Sequence, residues 1–357
     1  MVDATAPPQA LAAFKQRVDV VLQERLSEPL ARIRAASDVL VPVADELAAF
    51  VAEGKRIRPA LLYLGFQAAG GDDLTRVDGP ALALEMLHTC ALLHDDVIDR
   101  ATTRRNRPTT HVTFASRHRD AEWAGDPDAY GEAMAILIGD LAFVQADELF
   151  LQAQVPHEPL LEGFRRFTAL REEVMIGQTL DLYAATAGVT SREAAVTIAT
   201  LKSGRYSVAR PLEVGALLAG ASARQADQLR AFGDPLGRAF QVRDDLLGVF
   251  GDTDTTGKSR DSDLAEGKRT LLIAEAYERV EPADRALLDQ HLGTDLDAST
   301  ADQIRRMLET SGARSATEDY VDEQIAIARE QLAKLDITRE VRDILHAIAG
   351  WVGARSR

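Results

Sequence analysis

Between Leu82 and Val97 the chain reads LALEMLHTCALLHDDV, and Leu82, Met86, Cys90 and Leu93 recur at spacings of three and four. That period puts them in one stripe of a buried helix. Similar Ala/Leu-rich stretches occupy residues 10–50, 131–154, 160–187, 192–220, 224–250, 268–292 and 301–350, whereas alternating Val/Ile/Thr/aromatic runs bounded by two-residue glycine turns are missing. The expected fold is therefore all-α. The joins are short and plain: VPHEP at 155–159, GVTS at 188–191 with Thr190 and Glu193 spaced as a capping box, and GTDLDAST at 293–300. None reads as an interdomain linker and no solenoid-like repeat is visible, so residues 1–357 are expected to form a single large helical domain. Two longer loops stand apart, at 100–130 and 251–267, and each follows an Asp-Asp pair. Loops of that length in a compact chain are more often functional than decorative.

The charge balance is acidic, with 41 Lys+Arg against 56 Asp+Glu and a formal net charge of −15. No basic stripe suggests nucleic acid as a partner. Charges interrupt every apolar stretch before the ~18 residues that a membrane span requires. Cys90 is the only cysteine, which excludes an internal disulfide and fits a reducing compartment. The opening MVDATAPPQALAAFKQRV lacks the basic end and apolar core of a signal peptide, and a cytoplasmic location is expected.

An acidic chain can still bind anions if Arg and Lys cluster locally or if metal bridges carboxylate to ligand. Both devices are present. In LLHDDVID, Asp95 and Asp99 are four apart, so on a helix they share a face with Cβ atoms about 5–6 Å apart. Like charges so placed repel unless a cation sits between them, and oxygen-only ligands suit Mg²⁺. A solvated acidic helix end explains DDVID alone equally well. The second pair, Asp244-Asp245 in FQVRDDLLGVFGD, again ends an apolar helix, with Gln241 and Asp244 on one face at i, i+3 and Asp245 one step round. Basic residues gather as Lys55, Arg56 and Arg58; Arg104, Arg105 and Arg107; Lys202 and Arg205; and Lys258 and Lys268. Mixed Arg and Lys suit a polyanion such as diphosphate. Two acidic pairs and two kinds of basic group suggest two phosphorylated ligands, one bound through Mg²⁺, with hydrocarbon tails against apolar helix walls.

GKRIRP, HDDVIDRATTRRNRPTTH, the Lys-Ser of LKSGRY and QVRDDLLGVFGD…GK…D…GK, in this order from about residue 50 to 275, resemble the trans-isoprenyl diphosphate synthase (polyprenyl synthetase) family. Residues 1–45 and 280–357 are helical in pattern and carry no such motif. The resemblance implies a helical bundle around a central apolar cavity, a homodimer, and condensation of an allylic diphosphate (dimethylallyl, geranyl or farnesyl) with isopentenyl diphosphate. It implies that Asp95 and Asp99 hold two Mg²⁺ ions with Asp96 in support, and that Asp244, with Asp245 nearby, holds a third. Arg104, Lys202 and Lys258 would grip the allylic diphosphate; Lys55, Arg58, His88 and Arg105 would hold isopentenyl diphosphate without metal. Ser203 and Gln241 would lend oxygens to the allylic cation, and Lys268 would join the substrate-binding set. His88 lies two helical turns before Asp95; from pattern alone it reads as a core or capping histidine.

Three departures from the family pattern stand out. Gly248 replaces the third Asp of the second motif, where Asp244 is expected to suffice and Asp252 to assist indirectly. Asn106 replaces a turn glycine but tolerates positive φ, and Glu53 replaces one glycine before Lys55. Leu87, Cys90 and Ala91 are expected to line the pocket beneath the growing tail; small residues there leave room, and one helical turn of about 5.4 Å approximates an isoprene unit. A product longer than fifteen carbons follows, geranylgeranyl diphosphate for preference, with farnesyl or C25 and longer products as alternatives. Rival readings are a class I terpene cyclase, a ferritin-like di-iron bundle suggested by Glu85-Met86-Leu87-His88, and a non-catalytic subunit. GKRIRP and the missing Asn/Asp–Ser/Thr–Glu triplet disfavour the first, the lack of a second Glu-x-x-His the second, and the intact motifs the third.

Overall fold

The computed structural model describes residues 8–251, 262–294 and 296–354, without the side chain of residue 262. Their regular structure is helical but for one two-stranded hairpin, β1 (Thr103–Arg104) paired antiparallel with β2 (Arg107–Pro108). Two compact units are present. The first comprises Gln9–Tyr63 and Gly71–Leu160; the second comprises Leu64–Gly70 and the described part of Leu161–Arg357, with Pro8.

In the first unit, the 10–50 stretch is two helices, α1 (Gln9–Ala36) and α2 (Val41–Ala52), parted at Ser37, whose backbone is extended, and by a single 3-10 turn. Pro42 sits in the first turn of α2, where its missing N–H costs no helical bond. Then come the first half of α3 (Ile57–Ala68), whose residues from Leu64 on belong to the second unit, α4 (Asp78–Ile98), α5 (Thr110–Asp120) and α6 (Pro127–Phe150). From Gly79 to Leu87 every residue of α4 is buried, a wider band than the expected stripe. Gly139 of α6 lets α4 come close: a Cβ there would lie 2.3 Å from His94 Nε2. The expected 100–130 loop is thus mostly hairpin and α5, since THVTFASRHRD buries Phe114, Ala115 and His118 on one face.

In the second unit, α7 (His157–Ala187) leads to α8 (Arg192–Ile198), a π-helical segment (Ala199–Ala209), α9 (Arg210–Leu218) and α10 (Ala223–Phe250). The cap of α8 is Ser191, whose side chain accepts from Ala194 N, one residue on from the expected Thr190. A buried ion-pair network fixes this region: Arg210 joins Glu173 (2.6 Å) and Glu213, Arg166 reaches Glu213 (3.1 Å), and Arg205 joins Glu173 (3.1 Å) and Asp234 (3.2 Å). The chain ends in α11 (Ser262–Ala265), α12 (Leu271–Arg279), α13 (Pro282–His291), α14 (Ala298–Thr310), α15 (Ala313–Ala333) and α16 (Arg339–Ala354).

Candidate active site

The first acidic motif closes α4. Asp99 is the C-cap, Arg100 takes a left-handed φ of 53°, Ala101 N bonds to Asp96 O (3.0 Å) and Arg100 N to Val97 O (3.3 Å). This is a Schellman stop with arginine where glycine is usual. It gathers Asp95, Asp96 and Asp99 at the carbonyl end of a helix, where the macrodipole opposes each by about 0.3–1 kcal/mol and favours a cation. Asp96, 2% exposed, is committed inward, for Arg104 Nε lies 2.8 and 2.9 Å from its two oxygens. Burial opposes the charge on Arg104, yet Asp96, then Asp95 and Asp99, raise its pKa above the ordinary arginine value. Asp95 and Asp99 are the partly exposed carboxylates of the motif.

Arg104 stands on β1, and the turn after it is tight. Arg105 (φ 51°) and Asn106 (φ 61°) are both left-handed, as a two-residue type I′ hairpin turn requires. Asn106 therefore does adopt the conformation expected in place of glycine. Arg105 reaches back to Glu53 O at the end of α2 (3.0 Å) and lies 5.9 Å from the Phe50 ring centre. In the same unit Lys55 is exposed, and Arg58 and His88 are partly exposed. Burial, then Arg58, Arg105, Arg104 and Arg56, push the His88 imidazole well below its usual pKa. Arginines that suppress a histidine's charge make a neighbourhood that a bound anion would relieve.

In the second unit the π-helical segment carries Lys202 and Ser203. Wide turns of this kind are rare and frequent at functional sites. A Cβ on Gly177 would fall 2.2 Å from Lys202 N, so α7 passes very close, and Asp181 one turn on bonds Lys202 Nζ at 2.5 Å. Sequence reasoning missed Asp181; the available signal was its position four residues after Gly177 in GQTLD.

On α10, Gln241 donates to Asp245 Oδ1 (2.7 Å). Burial, then the nearby Asp263, pushes the Asp245 carboxyl up to about 8; Gln241 and Lys268 counter this, and Asp244 adds to it. The third carboxylate missing at Gly248 is replaced in space by Asp263, whose Oδ2 lies 2.0 Å from where a Cβ on Gly248 would stand. Lys268 bonds Asp263 (2.8 Å) and Glu266 (2.5 Å), and these carboxylates hold its ammonium well above its usual pKa despite burial. Lys258 and Asp252 lie outside the described residues.

Along α4, Leu87 and Cys90 are buried and Ala91 is partly exposed. Burial, with Asp140, pushes the Cys90 thiol up to about 12, and its Sγ lies 3.8 Å from His94 Nδ1.

Among the described residues no group of three or more His, Cys, Asp or Glu is arranged to hold a metal ion. Mg²⁺ is bound through one or two carboxylates together with substrate phosphates and water. The surplus carboxylate that lifts Asp245 is likewise what a divalent ion would offset. The donor sets at both acidic helix ends are thus suited to Mg²⁺.

A helical scaffold with carboxylate pairs in the last turns of α4 and α10, the first beside an arginine-rich hairpin and the second beside Lys268, is the class defined so far. Residues 42–310 match the polyprenyl synthetase family, and the chain belongs to that family of prenyltransferases. It is 32% identical to a short chain isoprenyl diphosphate synthase of Methanothermobacter thermautotrophicus, over 96% of each chain. It is 30% identical to a (2E,6E)-farnesyl diphosphate synthase of Mycobacterium tuberculosis, over 83% of this chain and 79% of that one. The crystal structure of geranylgeranyl pyrophosphate synthase from Corynebacterium glutamicum, complexed with isoprenyl diphosphate and magnesium, superposes with a TM-score of 0.90 at 34% identity, covering 95% of this chain and 99% of that one.

Proposed function

We propose that this prenyltransferase condenses isopentenyl diphosphate with an allylic diphosphate and releases diphosphate, with geranylgeranyl diphosphate as its product. The observation that carries the reading is the end of α4, where Asp96 is neutralised by Arg104 and Asp95 and Asp99 are left partly exposed on an unfavourable helix dipole. Asp95 and Asp99 would hold two Mg²⁺ ions and Asp244 a third, with Asp245 and Asp263 adding negative charge around it. Bound Mg²⁺ supplies charge neutralisation of the departing diphosphate.

The chain's own residues do the rest. Arg104, Lys202 and Lys258 grip the allylic diphosphate, and Lys202 is aimed by its ion pair with Asp181. Lys55, Arg58, His88 and Arg105 receive the diphosphate of isopentenyl diphosphate without metal, and Lys268 steadies the acidic corner through Asp263. Ser203 and Gln241 present oxygens to the allylic cation, which apolar helix walls shield from water. The alkene carbon attacks that cation, and a proton then leaves to the released diphosphate.

The geranylgeranyl product is supported by the small Cys90 and Ala91 and by the likeness to the Corynebacterium enzyme; farnesyl or longer products are the alternative outcomes of the assay. The chain is further proposed to act as one prenyl synthase domain and as a homodimer, for Leu137 and Val144 on the exposed side of α6 and Leu151 at its C-cap recur at seven-residue intervals. The test is incubation of the purified protein with Mg²⁺, labelled isopentenyl diphosphate and each allylic starter, followed by chromatography of the dephosphorylated products. Absence of any elongated prenyl product from every starter would refute the reading.

A further inference from the structure

Arg56 stands between Lys55 and Arg58 in a basic tract, and the sequence groups it with them as an anion ligand. The structure uses it otherwise. Its side chain is 1% exposed and its guanidinium is spent on protein. Nε donates to Asp19 of α1 (2.9 Å), Nη1 to Glu85 of α4 (2.7 Å) and to Glu53 O (3.2 Å), and Nη2 to Val51 O (2.7 Å) and Ala52 O (3.0 Å). A guanidinium has five N–H donors, and these contacts match that number. Three of the five go to carbonyls at the C-terminal end of α2, groups that have no partner within their own helix.

The charge is balanced as well. Asp19 and Glu85 face Arg56, and Lys15 pairs with Asp19 at 2.5 Å, so two cations meet two carboxylates. Arg56 therefore adds little net field to a bound anion. Its backbone is held at φ 55°, a left-handed conformation that a residue with a Cβ disfavours and that the side-chain contacts must outweigh. Glu85 precedes His88 by three residues on α4, and Glu53 O also accepts from Arg105. One side chain thus ties α1, the end of α2 and α4 to the loop that carries Lys55 and leads directly into the first turn of α3, where Arg58 stands.

We propose that Arg56 is the positioning residue of the metal-free diphosphate subsite, setting Lys55 and Arg58 in register with His88 and Arg105. The inference rests on the reading of those four residues as the isopentenyl diphosphate subsite. Lysine in its place keeps the charge but offers three donors from a single nitrogen, which cannot fork across two helices and a loop.

The experiment titrates isopentenyl diphosphate calorimetrically in EDTA and measures KM for both substrates with Mg²⁺, for wild type, Arg56→Lys and the milder Glu85→Gln. As a control, Arg17→Lys perturbs the Arg17–Asp78 pair (2.9 and 2.8 Å), also between α1 and α4. Arg56→Lys should weaken isopentenyl diphosphate at least tenfold and Glu85→Gln about threefold, with kcat and the allylic KM within twofold of wild type. Arg17→Lys should lower Tm without altering either KM. Hydrogen exchange at residues 53–58 should quicken in Arg56→Lys and stay unchanged in the control. Unaltered isopentenyl diphosphate affinity in both Arg56→Lys and Glu85→Gln, or equal losses for the two substrates, overturns the positioning role. If the wild type itself takes up no isopentenyl diphosphate, it is the function that is wrong, and the subsite goes with it. Should Arg56→Lys not fold, Glu85→Gln decides alone.

Discussion

Restoring the family's third aspartate, Gly248→Asp, should damage this protein rather than improve it. A Cβ at 248 would stand 2.0 Å from Asp263 Oδ2 and 2.8 Å from its Cγ, where ordinary contact needs more than 3.4 Å. Asp263 must then withdraw by over an ångström and stretch its 2.8 Å bond to Lys268. Overpacking of this kind costs about 1–3 kcal/mol. Replacing glycine inside a helix returns only about 0.3 kcal/mol when the newcomer is aspartate. A third carboxylate beside Asp263 and Asp245 adds repulsion, so a net loss of roughly 1–3 kcal/mol is expected in metal-free protein. Thermal and urea denaturation in EDTA would measure it. The double variant Gly248→Asp/Asp263→Ala moves the carboxylate back and removes the clash; it should recover most of the loss, with a coupling energy of at least about 1 kcal/mol. Wild-type stability in Gly248→Asp, or strict additivity in the double variant, would refute the idea that Asp263 fills the space the glycine leaves.

Three further outcomes are expected. Asp95→Ala should lower the condensation rate by orders of magnitude and weaken Mn²⁺ binding followed by electron paramagnetic resonance; near-normal turnover with intact Mn²⁺ binding contradicts the metal assignment. Ala91→Phe should shorten the dominant product while turnover persists, and an unchanged product spectrum removes Ala91 from the pocket wall. Asp245 holds its proton up to about pH 8 in the metal-free fold, whereas the unfolded chain releases it near 3.8, so the folded state binds the extra proton between those values. Its contribution to metal-free stability should fall as pH rises through that window, and Mg²⁺ binding near pH 7 should expel a proton. Calorimetry in two buffers of different ionisation enthalpy reads that release; its absence would place the ion away from Asp245.

The helices were legible where apolar residues recur over a long stretch, as along α4, although the period there understated a burial that takes in every residue from Gly79 to Leu87. The hairpin at 103–108 was not, because its strands have two residues each and expose Thr103, Arg107 and Pro108. α5 was hidden by a polar composition that still buries Phe114 and His118. The acidic motifs could be read as local i, i+4 patterns. What each carboxylate does could not: Asp96 is buried against Arg104 while Asp95 is partly exposed, and Arg56 has a left-handed backbone and a buried side chain while Arg58, in α3, is partly exposed. Lys202 with Asp181 and Gly248 with Asp263 are tertiary pairs, set by how closely one backbone passes another.

The state of Cys90 makes the molecule easy to instrument. A lone thiol that is enclosed and reluctant to ionise reacts slowly with maleimides, which attack the thiolate. A second cysteine placed at exposed Trp123 or Val189 would therefore take a dye or spin label selectively, with the native sulfur left in place.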